Sequence, residues 1–149
     1  MHGLHLTADL FDCPAHRAVM TDPAALREAC LAAVRGAGLQ AVDELFHRFT
    51  PSPNAPAGEP VGITGVVLLA ESHLAVHTWP ELAAVTLDVY VCNLDGDNSA
   101  RARALLAALL AVFESGTVEQ HALERGRLRA AKLQPQLQTQ TQTQASLAA

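Results

Sequence analysis

The chain has little cysteine: Cys13, Cys30 and Cys92 are the only three in 149 residues. An odd count gives no complete disulfide framework and fits a reducing compartment, so a cytoplasmic protein is expected. Positive charge is not in excess either. Ten Lys and Arg stand against fifteen Asp and Glu, for a formal net charge of −5. Without a basic face there is no phosphate attraction, which excludes nucleic acid and anionic membrane surfaces as partners. No apolar run approaches the roughly 18 residues of a membrane span; the longest, GVVLLA (65–70), is the size of a strand. The opening MHGLHLTADLF has no basic stretch followed by an apolar one, so no secretory leader is expected. Apolar material itself is plentiful, at half the residues. A single domain of this length hides roughly 70% of its unfolded surface, so no disulfide or metal is needed as a staple.

Approximate alternation in HGLHLTADLF (2–11) predicts a strand. Asp22-Pro23 reads as an N-cap followed by a first-turn proline. Behind it Leu26, Cys30, Ala33 and Val34 recur at helical spacing until Gly36 and Gly38 end the helix. Strand character resumes over 39–50. The stretch PSPNAPAGEPVG (51–62) holds four of the eight prolines and is expected to be an exposed loop. ITGVVLLAE (63–71) and AAVTLDVYVC (83–92) are rich in β-branched residues and read as buried strands. Between them, Pro80 and the lack of a 3.6-residue period argue against a helix in SHLAVHTWPE (72–81). Asn98 or Ser99 is placed to cap a second helix reaching about Glu114, with Leu105, Leu106, Leu109, Leu110 and Phe113 as its apolar stripe. TVEQHALERG (117–126) reads as one more strand. The expected fold is α+β, a two-layer sandwich of a mainly antiparallel β-sheet with two helices on one face. Residues 1–132 make its single domain, and the Gln/Thr-rich 133–149 a disordered tail.

Reactive side chains concentrate in ESHLAVHTWPE (71–81), joined later by Cys92. A metal held by His73, His77 and Cys92 is one reading. On a straight strand the two histidines share a face but stand about 13 Å apart, whereas zinc needs each nitrogen within about 2.1 Å. No metal is therefore expected. A second reading is a hydrolase with Ser72 or Cys92 activated by a histidine, although no G-x-S-x-G elbow surrounds Ser72. The plainest reading makes the histidines hydrogen-bonded strand residues, the cysteine a small hydrophobe, and Trp79 a core filler.

The same residues resemble a known family. GITGVVLLAESHLAVHTWPE followed by LDVYVC is similar to the short bacterial and archaeal S-adenosylmethionine decarboxylases, whose hallmark is Glu-Ser-His-Leu-x-(Ile/Val)-His-Thr-Trp-Pro-Glu. The resemblance runs from about His5 to Arg127 and includes HLTADLFDC, FHRF (46–49) and ERGR (124–127). Eleven residues in that order, with a cysteine twenty positions after the serine, make a specific signal.

The resemblance implies a proenzyme that cuts itself between Glu71 and Ser72, giving chains 1–71 and 72–149 and leaving a pyruvoyl group, made from Ser72, as the only cofactor. It assigns His77 as the base that removes the serine α-proton, and Thr64 as the hydroxyl beside the rearranging bond, where the family usually has serine. It assigns Cys92 as the proton donor during decarboxylation; a free thiol is mostly protonated at neutral pH yet gives its proton readily. Phe49 matches the aromatic that stacks on adenine, and Glu81 the carboxylate near the ribose. The implied activity is decarboxylation of S-adenosylmethionine through a Schiff base, for polyamine synthesis, by a dimer of processed chain pairs. Leu82–Thr86 and Asn93 depart from the family pattern, and the 52–60 loop is longer than usual. Those departures also suit the same chemistry on arginine or ornithine, and a homologue that does not process is a further alternative. Ser72 and His77 would be about 16 Å apart on a straight strand. The assignment therefore requires a bend after Ser72 or a histidine from a partner subunit.

Overall fold

Asp22 caps a helix as its place before Pro23 predicts. Its side chain accepts from the Ala24 N–H at 2.9 Å, and α2 (Pro23–Gly36) starts there. The structure, a computed structural model, describes residues 2–94 and 96–126. The tail expected at 133–149 lies outside the described residues. A second long helix, α3 (Ser99–Phe113), buries Leu105, Leu106, Leu109 and Phe113, while Leu110 stays only partly buried. Neither expected residue caps it with a side chain. Asp97 accepts from the Ser99 N–H at 2.9 Å instead, and these bonds hold its carboxyl below the usual carboxylate range. The Asn98 amide turns back to donate to the Cys92 carbonyl at 2.9 Å.

The strands fall where alternation and β-branching predict: β1 (Gly3–Phe11), β2 (Ala41–Arg48), β3 (Ile63–Leu69), β4 (Ser72–Trp79), β5 (Ala84–Cys92) and β6 (Thr117–Arg125). They form one sheet in the order β2-β3-β4-β5-β1-β6, and every neighbouring pair is antiparallel. No helix or strand occupies 49–62, in keeping with its prolines. The stretch 72–81 is a strand to Trp79 and then a single 3-10 turn, Pro80–Leu82.

One face of the sheet carries the core. Leu4, Leu6, Ala8 and Leu10 of β1, Leu74 and Val76 of β4, and Val85, Leu87, Val89 and Val91 of β5 are all buried there. α2 packs over β2 and β3, and α3 over β1 and β5. Each fully buried Leu or Val contributes about 1.5–3 kcal/mol, so this layer supplies most of the driving force. A third helix, the single turn α1 (Ala18–Thr21), joins the two expected. It is held by tertiary contacts: Met20 is buried, and Thr78 Oγ1 donates to the Met20 carbonyl at 2.8 Å while accepting from the Ile63 N–H at 2.9 Å. Among the described residues no helix is long and apolar enough to cross a membrane.

Among the described residues no layer covers the opposite face. Leu45, Leu68 and Leu123 on it are 68%, 46% and 53% exposed. All the alternate strand residues not used in the core look out from this open face.

Candidate active site

Two clusters of candidate side chains stand at opposite ends of β4. The first surrounds the hairpin that joins β3 to β4. Leu69 pairs with Ser72, so Ala70 and Glu71 alone make the turn. Glu71 carries the strain, at φ 62, in a left-handed region where glycine is the usual occupant. A non-glycine residue held there costs on the order of 1–3 kcal/mol. The next residue, Ser72, receives a hydrogen bond through its Oγ from the Cys92 N–H at 3.0 Å. The hydrogen bond therefore ties the first residue of β4 to the last of β5, and it fixes the hydroxyl oxygen beside the Glu71–Ser72 peptide. Cys92 is buried. Glu71, Ser72, His73, Tyr90, Arg125 and Leu68 line a cleft of about 540 Å³ at this end of the sheet. That size lies within the range of small-molecule sites.

The second cluster sits at the far end of the open face. Thr64 and His77 are direct cross-strand partners, which places their Cβ atoms roughly 5 Å apart. Next to them Phe49 and Trp79 stack with ring centroids 5.3 Å apart and planes tilted by 32°. Trp79 is thus not a core filler. It occupies the open face, half-buried, opposite the side that holds Leu74, Val76 and Thr78. Glu81 is exposed in the 3-10 turn just beyond.

The structure brings Ser72 to Cys92 and His77 to Thr64, but it does not bring the two pairs together. β4 runs unbroken from Ser72 to Trp79, so there is no bend after Ser72. Five residue steps of strand separate Ser72 from His77 by about 16 Å, and Ser72, at the first position of β4, lines the cleft with the open-face residues Leu68, His73, Tyr90 and Arg125. His73 and His77 share the open face, too far apart for one metal. Among the described residues no three His, Cys, Asp or Glu side chains could hold a metal ion.

A further group of residues, which lie in the matching segments but are not joined into a site by the sequence, adjoins the first cluster. His5 pairs with Asp88 through Nε2, and its Nδ1 meets Arg125 Nη1 at 3.3 Å. Tyr90 lies between His73, at 5.6 Å, and the Arg125 guanidinium, 5.5 Å over its ring. Strand alternation alone would put each on the open face, but their meeting depends on β1, β5 and β6 being neighbours.

Residues 4–126 match the family model described as S-adenosylmethionine decarboxylase. The chain belongs to this family. It is 40% identical over 101 residues to the S-adenosylmethionine decarboxylase proenzyme of Pseudomonas aeruginosa strain LESB58, a match covering 66% of this chain and 56% of that protein. Against the proenzyme of Aquifex aeolicus strain VF5 identity is 40% over 103 residues, covering 69% of this chain and 66% of the other. The crystal structure of the adenosylmethionine decarboxylase from Aquifex aeolicus VF5 superposes with a TM-score of 0.72 at 31% identity, covering 89% of this chain and 97% of that one. The chain thus spans just over half the length of the Pseudomonas relatives it matches. Family membership and the α+β fold are settled together by these matches.

Proposed function

We propose that the chain is a self-cleaving, pyruvoyl-dependent decarboxylase acting on S-adenosylmethionine. The observation that carries the reading is the hydrogen bond between Cys92 N–H and Ser72 Oγ, made next to a strained Glu71. Ser72 Oγ attacks the Glu71 carbonyl carbon. The C–N bond breaks as the ester C–O bond forms, and release of the left-handed Glu71 conformation favours that step. A base then takes the Ser72 α-proton and the ester C–O bond breaks, leaving a carboxylate on Glu71 and dehydroalanine on the second chain. Water adds, ammonia leaves, and a pyruvoyl group remains. That group supplies an electrophilic carbonyl, an electron sink for carbon dioxide loss from a bound amino acid. Cys92, at hydrogen-bonding distance through its own backbone, returns a proton to the α-carbon.

His77 is the base of the processing step, with Thr64 as its hydroxyl neighbour, and both come from a second copy of the chain. The distance between Ser72 and His77 along the straight β4 supports this, and at its own end of the strand Ser72 lines a cleft with the open-face residues Leu68, His73, Tyr90 and Arg125. A two-fold pairing of open faces sets the Ser72 end of one copy against the His77 end of the other, as an isologous contact requires. It also covers Leu45, Leu68 and Leu123, whose exposure supports a buried interface. Phe49 and Trp79 then present a stacked aromatic pair for adenine, and Glu81 a carboxylate for the ribose hydroxyls. The domain bounds 1–132 and a cytoplasmic setting belong to the same reading, the latter supported by three unpaired cysteines.

The test of the substrate is carbon dioxide release from S-adenosylmethionine, arginine and ornithine in parallel. Turnover of the first alone is expected. A preference for arginine or ornithine overturns the substrate, and no release from any of them favours a homologue that does not process.

A further inference from the structure

Arg125 differs from the paired arginines of this fold. Arg17, Arg27 and Arg35 form ion pairs with Glu114, Glu44 and Glu28. Arg125 instead meets a histidine nitrogen and an aromatic face, and no carboxylate pairs with it among the described residues. A guanidinium has only donors, so in this contact Nδ1 of His5 is the acceptor, and Nε2 is the nitrogen that meets Asp88. Asp88, His5 and Arg125 form a chain that spends one donor of the guanidinium and orients the rest.

The register places this cation with care. Gly3 pairs with Cys92 on one side and Arg125 on the other, so the three form one row across β5, β1 and β6. Gly3 has no side chain to fill the row. A Cβ there would lie 2.7 Å from the Tyr90 hydroxyl, so glycine is what lets the Tyr90 ring lie beneath Arg125. Arg125 lines the same cleft as Ser72.

We infer that Arg125 is the carboxylate-binding residue of this cleft, receiving an α-carboxylate on the fork that Tyr90 and His5 hold in place. The inference rests on the proposed function, which supplies two such carboxylates: that of the amino-acid substrate, and the one that cleavage creates at Glu71. A planar fork with free donors is the side chain best matched to a carboxylate.

The experiment compares wild type, Arg125→Met and Arg125→Lys, each first checked by mass for cleavage. For the substrate carboxylate, Arg125→Met raises KM for S-adenosylmethionine roughly ten- to hundredfold with kcat little changed, the loss expected of a charge-assisted hydrogen bond. Inhibition by the decarboxylated product, which lacks the carboxylate, stays unchanged. Arg125→Lys, keeping charge but not the fork, falls between, and serves alone where the methionine variant does not fold. For the Glu71 carboxylate, KM is unmoved, and Arg125→Met lowers the Tm of cleaved protein but not that of uncleaved protein carrying Ser72→Ala. Either pattern supports the inference. Unchanged KM together with unchanged Tm overturns it, as does an equal loss of affinity for substrate and product. If wild-type protein neither cleaves nor releases carbon dioxide, the proposed function itself fails and the inference falls with it.

Discussion

Ser72 and His77 lie on one unbroken strand, five residues apart, which is about 16 Å at the rise of a β-strand. In the proposed function the hydroxyl that starts self-cleavage and the imidazole that serves as its base therefore come from two subunits. Mixing two defective chains tests this. His77→Ala alone is expected to cleave slowly or not at all, and Ser72→Ala not at all. Co-expressed with Ser72→Ala, the His77→Ala chains should be cut, because each hybrid pair holds one complete site. Denaturing gels report the result directly, and cleavage of His77→Ala alone at the wild-type rate would refute the assignment of His77.

Cys92 gives its N–H to Ser72 Oγ and, in the proposed reaction, its thiol as proton donor. Cys92→Ala keeps the N–H that bonds Ser72 Oγ, so it should still self-cleave. Turnover should fall about 10²–10⁴-fold, the usual contribution of a positioned acid. Wild-type turnover in this variant would reduce the thiol to packing.

Phe49 is stacked on Trp79 at the edge of the open face, half-buried, and not in the core. Its loss should therefore affect a nucleoside substrate more than the fold. Phe49→Ala is expected to lower kcat/KM for S-adenosylmethionine about tenfold, combining lost stacking with lost buried area. Thermal melting run alongside should move little. A large fall in Tm with unaltered kcat/KM would make Phe49 structural.

Much of this arrangement is legible from local pattern. Asp22-Pro23 marks the start of α2, β-branched runs mark β3 and β5, and the prolines of 51–60 mark the gap between β2 and β3. These signals act between residues close in sequence. The turn α1 is not legible, since Ala18–Thr21 has no cap of its own and is held by Thr78 and the burial of Met20. Trp79 is misread for a related reason: apolar character alone does not say which face of the sheet has helices over it. The His5–Asp88–Arg125 chain depends on β1 lying between β5 and β6, a pairing of segments far apart in sequence. The motif at 71–81 holds candidate residues, but only the continuous β4 shows how far apart Ser72 and His77 stand.

Cys30 gives a pH-dependent prediction. Burial pushes its thiol up to about 12. The folded state thus keeps a proton that the unfolded chain loses near pH 9, so the stabilisation is full below that pH and is lost as pH rises toward 12. The slope from this one group is at most about 1.4 kcal/mol per pH unit. Denaturant unfolding of wild type and Cys30→Ala across pH 8 to 11 should show the steeper decline in wild type. Parallel curves would contradict it.

The mass of the purified protein tests the central claim most directly. Wild type is predicted to give two chains, 1–71 and 72–149, the second lighter than a serine-started chain by one ammonia and blocked to amine reagents. Ser72→Ala is predicted to give one intact chain with no carbon dioxide release. An intact wild-type chain, or a Ser72→Ala chain cut at the same place, would contradict the account.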